Sequence, residues 1–333
     1  MEQGDSDSGH LDHPGDRIDT GRGKYPQPAL VIMAHADPPG LRRLIDVCRD
    51  QWIVLHCDSK APQPVFDSMT NGLPERVIVA PRHDTRLASW SLVQAELACI
   101  RLALDHTDAE HIITMSGSDY PLVDPVRWAG ILGPFAGTSW IDNFEMPYRP
   151  WDVPLFKDGG LWRLRHYFPT YRNQVFWLRP TKPIFVPIRR RIHRDLAPRA
   201  SSAWKIISRP DAQKLIDLLD ARPDLVSFGR STFIPEESFI ASVLASQSLW
   251  GEEALAPCSY FPCLANWPDA PVTHPGWFTL ADIPRIQDTL QKLASSGDAA
   301  ARKLPNGGVP LYGRKFTTRD EPELLDKLEA ALW

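Results

Sequence analysis

Short apolar runs alternating with helical stripes constrain this chain more than any other feature. ALVIMAH (29–35) is an apolar run with β-branched residues and reads as a buried strand. In PPGLRRLIDVC, which follows, Leu41, Leu44, Ile45 and Cys48 fall at helical spacing. WIVLHCDS (52–59) is a second strand ending on Asp58, and RVIVAP (76–81) a third. SLVQAELACIRLALD (91–105) carries Val93, Leu97, Ile100 and Leu104 on one stripe. HIITMSGSDYPL (111–122) is a fourth strand running into a polar turn. This alternation predicts an α/β fold, a mostly parallel central sheet with helices on both faces. Ligands of such sheets bind at the carboxyl ends of the strands. His35, Asp58 and the Ser116-Gly117-Ser118-Asp119 turn are therefore expected along one rim. No GxGxxG follows a strand and no GxxxxGK[ST] is present; GRGK (21–24) fits neither pattern. Dinucleotide and P-loop chemistries find no support.

Residues 144–200 break the alternation. They are irregular and rich in Trp, Tyr, Phe, Arg and Pro, the character of a functional loop region. The stretch ends in RRRIHRDLAPR, with Arg189, Arg190, Arg191 and Arg194. That run reads either as a solvated, mobile basic face or as a patch for an anionic acceptor or a membrane surface. Order then returns. SSAWKIIS is expected as a strand. PDAQKLIDLLDA is expected as a helix with Leu215, Leu218 and Leu219 inward, and EESFIASVLASQ as a helix burying Phe239, Ile240, Val243 and Leu244. DIPRIQDTLQKLA and EPELLDKLEAALW close the chain as helices, the last using Leu325, Leu328 and Leu332. The organisation expected is a disordered polar tail over 1–25 and one domain over 26–333, divided into halves at 26–143 and 144–333.

Charge and composition narrow the function. A net charge of −4 offers a nucleic-acid backbone no excess positive charge. The N-terminal stretch has no apolar signal core, and no run approaches the roughly 18 apolar residues of a membrane helix. The expectation is a soluble, cytoplasmic protein, with any contact to the inner membrane peripheral and through Arg189–Arg194. Of five cysteines, Cys48, Cys57 and Cys99 sit in apolar segments as small buried residues. Cys258 and Cys263 are close enough in sequence to pair, but no disulfide framework or CxxC spacing appears, which indicates a reducing compartment. Many of the twelve tryptophans lie in polar, irregular stretches. An indole face with one N–H donor suits a sugar ring as well as loop packing.

LVIMAHADPPGLRRLI, LHCDSK, ASWSLVQAEL, TMSGSDYPL, AWKIIS, IPEESFIASVL and YGRKF occur in this order from about residue 29 to the end. In this the chain resembles the core-2/I-branching glycosyltransferases, which include β-1,6-N-acetylglucosaminyltransferases and peptide O-xylosyltransferases. SGSDYPL and ASWSLVQAEL are the most specific of the seven. The resemblance implies a GT-A-type fold with a Rossmann-like sheet. It implies inverting, metal-independent transfer from a UDP-sugar, UDP-N-acetylglucosamine or UDP-xylose, to a glycan, glycolipid or protein acceptor. No cofactor is implied. Many members are Golgi proteins with a membrane anchor and several disulfides; lacking both, this chain looks like a bacterial, cytosolic relative.

Inverting transfer needs a base for the acceptor hydroxyl and stabilisation of charge on the leaving diphosphate. The resemblance maps the family's Pro-Asp-Glu segment onto Pro235-Glu236-Glu237, which makes Glu237 the base. Read without it, both glutamates merely complement a helix N-terminus. Arg314 and Lys315 of YGRKF match the motif whose lysine contacts the diphosphate in place of a divalent metal. A second basic residue of the family has His274, in THPGW, as its nearest match. Asp58 would hydrogen-bond the nucleotide and His35 would line the same pocket; a strand-end histidine satisfied by its neighbours is the alternative. Asp119 is a single carboxylate, a poor Mg²⁺ site, and is expected on the donor-pocket wall or as a turn residue. Trp90 and Ser91 open the Val93 helix and either touch the donor or cap and pack. On the acceptor side the resemblance points to Glu145, Trp267 and Arg165, with Arg163 as alternative to Arg165.

Two other classes stay open on the residues alone. One is a carbohydrate- or nucleotide-sugar-binding protein without turnover; the presence of both Glu237 and Lys315 favours an enzyme. The other is a retaining glycoside hydrolase, for which two carboxylates about 5 Å apart are needed and no second one is nominated.

Overall fold

The computed structural model describes residues 24–179, 182–258, 260, 262–268, 274–298 and 301–333. The predicted tail lies outside the described residues up to position 23. The first half builds β1 (Ala29–Ala34), α1 (Pro38–Val47), β2 (Ile53–Cys57), α2 (Gln63–Thr70), β3 (Val77–Val79), α3 (Trp90–His106) and β4 (His111–Ser116). The four strands lie parallel in the order β3-β2-β1-β4. β1 and β2 read as unbroken apolar runs because helices cover both faces of the sheet. Leu30 and Ile32 face one core with Leu41, Leu44 and Ile45 of α1. Ala29 and Val31 face the other, with Val93 and Ile100 of α3. That split is the two-residue period of a strand.

After β4 the chain restarts as β5 (Asp119–Pro121), passes α4 (Trp128–Leu132), and forms β6 (Trp140–Glu145). The expected continuous strand 111–122 is thus two strands in two sheets. Ser116 marks the break: its N–H and hydroxyl both bond the Asp119 carboxylate, at 2.8 and 2.7 Å, and fold the chain back on itself.

The irregular region holds α5 (Trp162–Arg165) and two small hairpins, β7 (Thr170–Tyr171) with β8 (Gln174–Val175), and β9 (Trp177–Arg179) with β10 (Lys182–Pro183). A third core of Trp162, Phe168, Val175 and Phe233 lies beneath them. The arginine run is not one solvated face. Arg190 turns inward, donating to the carbonyls of Leu164 and Phe228 and to the Ser231 and Thr232 hydroxyls, with its guanidinium 4.0 Å from the Phe228 ring. Arg189, Arg191 and Arg194 are exposed.

β11 (Arg199–Ser208) completes the main sheet, antiparallel between β4 and β6. α6 (Arg209–Ala221) and α7 (Pro223–Arg230) follow. α6 buries Leu215 and Leu219, with Leu218 half-buried. The helix expected over EESFIASVLASQ begins late. Pro235–Glu237 form a 3-10 turn, Ser238 departs from helical geometry at φ −146°, and α8 spans only Phe239–Leu244, followed by α9 (Gln247–Trp250). The two glutamates are therefore presented on a turn rather than at the head of a regular helix. β12 (Cys263–Ala265), α10 (Ile283–Ala294), β13 (Tyr312–Arg314) and α11 (Leu324–Leu332) end the chain. β13 pairs with β12 and with β5 in a second, three-stranded sheet whose register sets Arg314 opposite Asp119. Cys258 and Cys263 are both free thiols.

Candidate active site

At the carboxyl ends of β1 and β4 a cleft of about 370 Å³ is lined by His35, Ser116, Ser118, Trp277, Arg314 and Lys315. Gly117 sits where the two strand ends converge; its N–H donates to Met33, and an added Cβ would come within 3.1 Å of the Ala34 methyl. The floor is shaped by Asp37, which occupies a left-handed conformation (φ 55°) at the N-cap of α1. Its carboxylate accepts the Gly40 N–H and the hydroxyls of Thr317 and Thr318, which fastens the segment after Lys315 to the head of α1.

The two cations are fixed differently. Arg314 lays its guanidinium 4.2 Å over Trp204 of β11, with Nε 3.8 Å from the Asp119 carboxylate. Asp119 itself is fully buried. Burial raises its carboxyl above the ordinary value despite Arg314 and the Ser116 hydrogen bonds. Lys315 places Nζ 5.6 Å from the Trp277 ring. Partial burial, then the neighbouring Arg314, holds its ammonium below the ordinary lysine range.

Glu237, on the turn before α8, is not among the residues that line this cleft; His274, which feels the charges of both Lys315 and Glu237, lies between the two. Its Oε2 meets Arg163 Nη1 of α5 at 2.9 Å, and its side chain stays 39% exposed. The Arg163 guanidinium rests 3.8 Å over Trp151. The Ser201 hydroxyl of β11 donates to the Glu237 carbonyl at 2.8 Å. Glu236 points the opposite way, into the protein, where Oε1 accepts the Ala88 N–H at 3.1 Å. The Ile234 N–H returns to the Ala88 carbonyl at 3.2 Å, and both Ala88 and Ile234 have positive φ. Burial, followed by the charge of Glu237, pushes the Glu236 carboxyl up to about 8.

His274 lies in the field of both halves. Burial and the Lys315 charge hold its imidazole below the ordinary value, against the opposing pull of Glu237. β11 ties the halves physically: Ser201 holds the Glu237 turn and Trp204 carries Arg314. The two anchors flank the start of a register shift in the β11–β6 pairing, between Ser201 and Lys205.

The other residues nominated by the sequence fall as follows. Asp58 is buried at the end of β2, with its N–H on Ala34. Its carboxylate bonds Lys60 Nζ and the Lys60 N–H, at 2.7 and 2.8 Å, and the Thr85 hydroxyl. Burial alone would raise that carboxyl, but these bonds outweigh it and hold it below the ordinary value. Trp90 is buried at the start of α3, edge-on to Phe239 at 4.9 Å. Ser91 accepts the Arg86 N–H and meets the Ser89 hydroxyl, which caps the helix. Glu145 is exposed and pairs with Arg199 at 3.1 Å, while Arg165 lies 3.8 Å from Asp158. Trp267 is exposed just after β12. Of the two arginines weighed, Arg163 is the one beside Glu237. Among the described residues no three His, Cys, Asp or Glu side chains gather closely enough to hold a metal ion.

Ser201, Trp204, Trp151 and Trp277 were not singled out from sequence. Trp204 and Trp277 lie inside AWKIIS and THPGW, so the motifs marked the right segments without marking those side chains.

No helix of the described residues is long and apolar enough to cross a membrane. No curated protein matches the chain. The profile of the Core-2/I-Branching enzyme family matches residues 30–286, most of the 333 residues; the match includes β1, β4 and the Glu237 turn and ends before Arg314 and Lys315. An acid on a turn and paired cations at the mouth of a parallel sheet thus sit in a chain that belongs to the Core-2/I-Branching enzyme family, a family of glycosyltransferases.

Proposed function

We propose that the chain transfers a sugar from a UDP-sugar to an acceptor hydroxyl with inversion and without a divalent metal, using Glu237 as general base. N-acetylglucosamine and xylose are the sugars favoured. The observation that carries this reading is the double attachment of β11, which holds the turn bearing Glu237 through Ser201 and carries Arg314, the neighbour of Lys315, on Trp204. Arg163 engages Oε2 of Glu237. Oε1 accepts no hydrogen bond from a described residue and is available to an incoming alcohol. The base takes the hydroxyl proton as the acceptor oxygen attacks the anomeric carbon. The bond from that carbon to the diphosphate breaks on the opposite face, and its electron pair leaves with the diphosphate. Lys315 and Arg314 stabilise the charge that develops there, in the manner a metal would. Trp267 and Trp277 present exposed indole faces near this rim that suit sugar rings.

A panel of UDP-sugars, scored for UDP release with and without EDTA, tests the reading. Turnover with at least one donor, insensitive to EDTA, is expected. Glu237→Gln should cut it by a factor on the order of 10²–10⁴ and leave UDP affinity nearly intact. Normal turnover in that variant would remove Glu237 from the role.

A further inference from the structure

We propose that the face formed by the two hairpins and the segment up to Arg194 docks on an anionic lipid surface. Residues 159–194 contain eight arginines and one lysine and no aspartate or glutamate, in a chain whose net charge is −4. Three of these cations are spent inside the protein: Arg163 on Glu237, Arg165 near Asp158, and Arg190 on backbone carbonyls and hydroxyls. Arg172, Arg189 and Arg191 are exposed, as is Arg194, which lies 3.7 Å from Asp195. Among them stand apolar side chains with no cover: Leu178 is 73% exposed, Ile188 67% and Tyr171 62%. The Ile184 N–H donates to the Phe176 carbonyl at 2.7 Å, which brings those two exposed residues alongside each other.

A buried aromatic layer supports this ridge. Trp177 packs edge-on to Phe233 at 5.6 Å, and Phe168 stacks on Phe233 at 4.8 Å. The exposed residues are thus held up by a packed floor and are not a fold left unfinished. Apolar tips beside guanidinium groups are what the boundary of a bilayer accepts: the tips enter the acyl margin while the cations meet lipid phosphates. A second copy of this face would bring like charges together. A nucleic acid or an acidic polypeptide would pair with the arginines but leave the apolar tips in water. The inference does not rest on the sugar-transfer reading, because lipid binding is measured without turnover.

The test is flotation of the full chain with phosphatidylcholine vesicles prepared with and without phosphatidylglycerol, at low and high salt. Binding to the phosphatidylglycerol vesicles, weakened by salt, is expected. Arg189→Glu with Arg191→Glu should lower it by at least about 30-fold. Phe176→Ser with Leu178→Ser and Ile184→Ser should lower it by about tenfold or more. The charge-reversed pair lies wholly on the surface, so it keeps the test decisive if the triple variant does not fold. No binding to the phosphatidylglycerol vesicles overturns the proposal, as does binding that the charge reversal leaves unchanged. A dimer in sedimentation velocity that the serine variant dissolves, without vesicle binding, would assign the face to contact between copies and also overturn it.

Discussion

Arg163 Nη1 lies 2.9 Å from Glu237 Oε2, bridging residues 74 apart in the chain, and the same guanidinium rests on Trp151 at 3.8 Å. The arginine is thereby fixed from two directions, and it fixes the carboxylate in turn. In the proposed reaction that hold decides where the base meets the alcohol. Arg163→Met should lower kcat by about 10²-fold, because misplacement of a reacting group by about 1 Å has that cost. Steady-state kinetics check it, with donor KM expected to change little. An unchanged kcat would mean that Glu237 needs no such support.

Lys315 is a different kind of partner, a point charge at the cleft rather than a clamp. Removing it should weaken UDP binding while leaving the fold intact, since its Nζ forms no structural ion pair among the described residues. A lost charged hydrogen bond corresponds to roughly 10–100-fold in affinity. Titration calorimetry of Lys315→Ala with UDP reads this directly; equal affinity in the two proteins would place the diphosphate elsewhere.

Glu236 predicts a pH effect with a definite sign. Its carboxyl titrates near an ordinary 4.5 when unfolded and is pushed up to about 8 when folded. The folded state therefore binds the proton more strongly. The associated stability is full below about pH 4.5 and is lost as pH rises toward about 8. Glu236→Gln keeps an oxygen for the Ala88 N–H and removes the titration. The variant should exceed the parent in stability at pH 8 by on the order of 3 kcal/mol, with a flatter profile below that. Urea denaturation across this range is the measurement, and parallel profiles would refute the assignment.

Beneath the rim, Lys205 is 1% exposed and its Nζ lies 2.6 Å from Glu96 Oε1, which also accepts the Thr114 hydroxyl at 2.9 Å. Taking away one member of such a pair strands a buried charge. Lys205→Ala should destabilise the protein by about 3–5 kcal/mol. Lys205→Met combined with Glu96→Gln should recover most of that loss, as judged by urea midpoints at constant slope.

The sheet was legible because β1, β2 and β4 are buried on both faces, so apolar residues dominate them and the intervening stripes keep helical spacing. The second sheet was not. The pairing of Asp119 with Arg314 depends on a meeting between distant segments that leaves no local pattern. The same holds for Arg163, whose partner is set by the path of a loop region without periodicity. Charge content misled at Arg190, where an arginine serves as a many-sided donor to backbone carbonyls and so reads like its solvated neighbours. The short helix after Ser238 was overestimated because Phe239, Ile240, Val243 and Leu244 continue the helical spacing, while the turn before them is stabilised by Ala88, far away in sequence.

The placement of Ser201 and Trp204 on β11 has a consequence for how such a catalyst diversifies. β11 is held by β6 on both sides of its register shift and by β4 at its end, whereas the hairpins and loops around it can lengthen or shorten freely. Recognition of new partners can therefore be rewritten at the periphery while both reacting ends keep leaning on the same strand.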